Sequence, residues 1–89
     1  MDQAKTWTIR IDIGEHDGRT RAVARLHTRD TEGMVGVGFA RLNPADRDVP
    51  EIGDEIAVSR ALSDLSHRLI DAAADDLERV LGEHPRLVL

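Results

Sequence analysis

The segment Met34-Val-Gly-Val-Gly-Phe-Ala-Arg-Leu42 constrains the fold more than any other part of the chain. It reads as a strand, yet it holds two glycines two residues apart, which therefore share one face. Glycine inside a strand costs packing and chain entropy, so such a pair marks the close approach of another element. Val35, Val37 and Phe39 lie on the other face together with Arg41. A helix backbone over Gly36 and Gly38 would leave Val35, Val37 and Phe39 on an open face; the reverse packing would put those three in the core. The sequence allows either.

Two strands are expected before it. Trp7, Ile9, Ile11 and Ile13 alternate with polar residues, which predicts a strand over residues 5–13 with four large apolar groups on one side and Trp7 in the core. Gly14 to Gly18 reads as a turn, its Asp17-Gly18 pair favouring positive φ. Residues 19–28 resume the alternation through Ala22, Ala24 and Leu26, and Arg29 to Gly33 is a polar connector to the third strand over residues 34–42. An antiparallel meander follows from these short connections.

After the Asn43-Pro44-Ala45-Asp46 turn and an irregular stretch from Arg47 to Gly53, apolar residues recur with helical spacing. Val58, Ala61, Leu62, Leu65, Leu69, Ala72 and Ala73 form one stripe, so a helix is expected over residues 54–73 with Asp54 as N-cap. Asp75-Asp76-Leu77-Glu78 has the spacing of a capping box, which predicts a break near Ala74 and a short second helix over residues 75–82. Gly82 fits its C-terminal cap. The expected fold is α+β: a three-stranded antiparallel sheet packed on one face by a C-terminal helix, with a short second helix, in a single domain over residues 1–89.

Composition narrows function mainly by exclusion. The absence of cysteine removes disulfide frameworks, thiolate zinc sites and cysteine nucleophiles. No apolar run approaches the length of a membrane span, and the first residues lack a signal-like layout, so a cytoplasmic protein is expected. The net charge of −5 is uneven: residues 1–42 carry seven basic and six acidic side chains, residues 43–89 five and eleven. The acidic second half would repel a polyanion, which disfavours nucleic acid as a partner.

No spacing of reactive side chains points to catalysis. Ser59, Ser63 and Ser66 lie within the helix, and Gly36-Val37-Gly38 lacks the Lys-Ser/Thr of a phosphate loop. Asp64, His67 and Asp71 share a helical face, but Arg60 and Arg68 alongside make ion pairing the better account than metal binding. No enzyme activity, cofactor or metal is therefore expected. Two surface constellations remain. Arg10, Arg21, Arg25 and Arg41 can share the open face of the sheet and would form an anion-binding stripe. Val23, Val35, Val37 and Phe39 would make an apolar interface if that same face carries them.

The segment from Met34 to Asp46, then Ile52-Gly-Asp-Glu-Ile-Ala-Val-Ser-Arg-Ala-Leu-Ser-Asp-Leu65, resembles a small actinobacterial family of uncharacterised proteins. The resemblance also takes in the strand around Trp7 and the Glu15-His16-Asp17 turn before Arg19. It implies a fold similar to the double-stranded-RNA-binding domain, three antiparallel strands with a C-terminal helix, and brings no activity or catalytic residue with it. Lysines that hold phosphate at the start of that domain's last helix have no counterpart here, where Gly53-Asp54-Glu55 stands instead. The resulting expectation is a non-catalytic interaction module that self-associates or binds a protein partner. The alternative is a weak nucleic-acid or anion binder through a basic sheet face.

Overall fold

The computed structural model describes residues 4–29, 32–41, 49–82 and residue 87. Three strands, β1 (Thr8–His16), β2 (Arg19–His27) and β3 (Glu32–Arg41), precede one helix, α1 (Pro50–Leu81). The sheet is antiparallel in the order β1-β2-β3. Asp17 and Gly18 join the first two strands with φ of 51° and 71°, the two left-handed positions of a type I′ hairpin whose twist matches that of the strands. A register shift at Leu26/His27 accommodates Gly33 at the start of β3.

The glycines of β3 face the helix. A Cβ on Gly36 would lie 2.3 Å from the Ala61 carbonyl oxygen, and one on Gly38 2.3 Å from the Ala57 oxygen and the Ala61 nitrogen. Small residues answer them from every side. Ala22, Ala24, Leu26 and Ala40 of the sheet pack with Ala57, Ala61 and Leu65 of α1. Val35, Val37 and Phe39 consequently lie on the uncovered face.

The helix is single, not the expected pair. It starts at Pro50, four residues before Asp54, with Val49 as an extended N-cap and no side-chain cap. Proline suits the first helical position, because its φ is preset and its missing N–H would have no intrahelical partner. Nor does it break at Ala74: that residue is buried, the alanines at 72–74 are strong helix formers, and Asp76 pairs with Arg79 one turn on instead of capping a new start. Termination comes at Gly82, in the left-handed conformation at φ 78°, whose N–H donates to the Glu78 carbonyl. The turn expected over Asn43 to Asp46 lies outside the described residues.

A helix of 32 residues spans about 48 Å, whereas strands of nine or ten residues reach about 30 Å. The last turns of α1 therefore run past the sheet, and Leu77, Val80 and Leu81 are exposed there. Width matters as well. A helix about 10 Å across covers roughly two strands spaced about 4.8 Å apart, and α1 lies over β3 and β2. The row expected to be core on the first strand is thus largely uncovered: Trp7, which precedes β1, is 56% exposed, Ile9 45% and Ile13 47%, and of the four only Ile11 packs against the core.

Candidate interaction surface

The strand registers fix what the open face presents. Arg10 stands opposite Arg25, Asp12 opposite Val23, and Gly14 opposite Arg21; on the other side Val35 faces Arg25, Val37 faces Val23, and Phe39 faces Arg21. Arg41 stands opposite Arg19. All four sequence-chosen arginines and all four sequence-chosen apolar residues therefore share one surface. Val23 is only 8% exposed although no second layer among the described residues covers it, so it is shielded by the side chains around it.

Charge dominates that surface. Arg10, Arg19, Arg21, Arg25 and Arg41 are all exposed there, and Asp12, 3.3 Å from the Arg10 guanidinium, is the one carboxylate among its described side chains. The Arg19 guanidinium stacks 4.4 Å from the centre of the Phe39 ring, a contact that sequence spacing does not reveal because it crosses between strands. Arg10 opposite Arg25 and Arg19 opposite Arg41 are like-charged cross-strand pairs, which oppose sheet formation. The helix has the opposite sign, with eight carboxylates and three arginines.

The outer edge of β3 is occupied by α1. The Val37 N–H donates to Asp64 at 2.9 Å, and the Arg60 guanidinium donates to the Phe39 carbonyl at 2.6 Å. Asp64 also accepts from Arg68 at 3.2 Å. The Val37 N–H first, then the Arg68 side chain, holds the Asp64 carboxyl below its ordinary range, so it stays ionised as an edge cap. That work takes Asp64 away from any convergence with His67 and Asp71, and the His67 ring lies against the Ser63 carbonyl, 2.8 Å from Nδ1. Among the described residues no group of three or more His, Asp or Glu is placed to hold a metal ion. The signal in the sequence was the i,i+4 placement of Arg60 and Asp64, legible only once the neighbouring strand is known.

The opposite edge is different. Every residue of β1 except Ile11 is exposed. Its inner side borders the flank of α1 away from Arg60 and Asp64, where helical spacing puts Val58, Leu62 and Leu69, all partly buried. At one end this apolar border opens into a cleft of 1040 Å³ whose lining includes Trp7, Leu26, Met34 and Leu69 together with the charged Lys5 and Asp76. No helix among the described residues is long and apolar enough to cross a membrane.

Residues 5–86 match the family described as Rv2632c-like. The chain belongs to that family. Rv2632c-like relatives include the uncharacterised protein Mb1767 of Mycobacterium bovis, 57% identical over 82 residues that make up 92% of this chain and 86% of the relative. Rv2632c of Mycobacterium tuberculosis, also described as uncharacterised, is 54% identical over 74 residues, 83% of this chain and 78% of its own. The crystal structure of Rv2632c superposes with a TM-score of 0.83 at 49% identity, covering 92% of this chain and 96% of that one. The three-stranded meander with one packed helix is thus set in a small mycobacterial family.

Proposed function

We propose that this Rv2632c-like protein is a small cytoplasmic interaction module without catalytic activity, which associates with itself or with a protein partner through β1. The carrying observation is the uncovered inner row of that strand, Ile9 and Ile13, with exposed Trp7 just before it, on an edge strand that is exposed along nearly its whole length. Exposed apolar rows and unpaired strand edges are the two features that folded domains normally suppress unless a partner uses them. The open face suits self-association less well, because stacking it on its own copy would bring two sets of five arginines together. Light scattering during size exclusion over a concentration series tests the reading. The expected result is a mass above the monomer at high micromolar concentration, reduced by Ile9→Ser and little changed by Phe39→Ser. A strict monomer throughout would refute self-association.

The like-charged pairs Arg10/Arg25 and Arg19/Arg41 favour a second reading, weak anion binding by Arg10, Arg21, Arg25 and Arg41. Their mutual repulsion would be relieved by a polyanion on the sheet face, while the acidic helix would limit affinity. Mobility shift against duplex RNA and DNA decides it: phosphate contacts must weaken steeply as salt rises, and salt-independent or absent binding removes this reading.

A further inference from the structure

We propose that the partner of β1 is β1 of a second copy, paired antiparallel about a two-fold axis at Ile11, to make one continuous six-stranded sheet. The proposal rests on the self-association reading above and specifies its geometry. Three independent features select this register.

The first is the direction of the free backbone groups. His16 and Arg19 flank a two-residue hairpin, so they exchange both hydrogen bonds, and by antiparallel alternation the even-numbered residues of β1 bond to β2. The N–H and C=O groups of Ile9, Ile11 and Ile13 therefore point out of the sheet. The far edge agrees with this phase: carried across β2, it leaves Val37 N–H and Phe39 C=O pointing outwards, and those are the groups that Asp64 and Arg60 reach. A two-fold at Ile11 sets Ile11 against Ile11 of the second copy and Ile9 against its Ile13. Every outward donor on one strand then meets an outward acceptor on the other.

The second is charge. The sequence Thr8-Ile9-Arg10-Ile11-Asp12-Ile13-Gly14 is antisymmetric in charge about Ile11. The same two-fold places Arg10 opposite Asp12 of the second copy, and Asp12 opposite its Arg10, on the open face. Shifting the axis to Arg10 or to Asp12 would oppose like charges instead. Both side chains are available for the exchange, since they are 72% and 53% exposed and their present pairing is within one strand.

The third is apolar continuity. Ile9, Ile11 and Ile13 of the two copies form one uninterrupted row pair on the inner face, and the half-exposed isoleucines gain lateral partners there. Edge pairing of this kind draws its affinity from main-chain hydrogen bonds and its specificity from alternating side chains. Among the described residues β1 alone offers such an edge, because α1 side chains occupy that of β3 at Val37 and Phe39.

Charge reversal tests the register directly. Arg10→Asp and Asp12→Arg should each weaken self-association about tenfold or more, since each introduces two symmetry-related like-charge contacts. Mixing the two variants should restore association as a heterodimer, and the double variant R10D/D12R should restore the homodimer. Circular dichroism of each variant checks that these exposed sites leave the fold intact. If the wild type associates but neither reversal nor mixing changes it, the register is overturned while self-association stands. If the wild type never associates, both fall.

Discussion

Gly38→Val is expected to cost the protein its native packing altogether. A Cβ at that position would sit 2.3 Å from both the Ala57 carbonyl oxygen and the Ala61 nitrogen and 2.7 Å from the Arg60 carbonyl carbon. All three are helix backbone, which cannot rotate aside as a side-chain tip would. Overpacking a core costs about 1–3 kcal/mol where neighbours can adjust. Here α1 must lift from β3 as a body, separating Ala57, Ala61 and Leu65 from Ala22 and Ala24, so the loss should exceed that range. A domain of this length has roughly 4–13 kcal/mol of stability to lose. Urea unfolding followed by circular dichroism should show the cooperative transition displaced to much lower urea or absent. Gly14→Ala is the control: nothing lies within 4 Å of its position, and its stability should stay near that of the wild type. A wild-type transition for Gly38→Val would refute the helix placement.

Leu65→Ala is the second large effect. Leu65 is 2% exposed and is the largest fully buried side chain among the described residues. Leucine-to-alanine changes in cores cost about 2–5 kcal/mol, more where the surroundings cannot collapse into the space. Collapse is poor at this site. Its neighbour across the interface is Gly36, which has no side chain to move, and the other core residues are mostly alanines. The upper half of the range is expected, lowering the melting temperature by roughly 10 °C or more for a domain of this size. Adding Gly36→Ala should not rescue it, because that Cβ would also lie 2.3 Å from the Ala61 carbonyl oxygen. Calorimetry of the two variants separates cavity from collision: a near-neutral Leu65→Ala would mean that the core is not centred there.

Periodicity made the three strands legible. Side chains alternate strictly along a strand, and Asp17-Gly18 has the positive φ that a two-residue hairpin requires. It misled at β1 and the residue before it, where Trp7, Ile9, Ile11 and Ile13 have the pattern of a buried row. Alternation reports which side of the sheet a residue takes, not whether anything covers that side. The helix was legible in its apolar stripe but not in its limits. Asp54 and the Asp75-Asp76-Leu77-Glu78 segment have capping chemistry, yet a cap acts only where the chain leaves the helix, and no departure occurs at either place. Pro50 was the better signal for the start.

The candidate surface divides the same way. That Arg10, Arg21, Arg25 and Arg41 stand with Val23, Val35, Val37 and Phe39 required the cross-strand register, since residues on three strands meet only through their pairing. The edge cap of Asp64 and Arg60 on β3 required knowing that α1 runs along that strand.

By itself the sequence determined local facts: period-two strands, the hairpin turn, an amphipathic helix, and a pair of glycines that had to meet something close. Those depend on backbone geometry and neighbours a few residues away. The tertiary structure decided the side on which the glycines meet the helix, and hence that the arginine-rich face is open. It also decided that β1 lies beyond the helix's cover. The reason is one of size: a single helix is wide enough to bury two strands, and which strand is left out is settled by where two glycines let its backbone come closest.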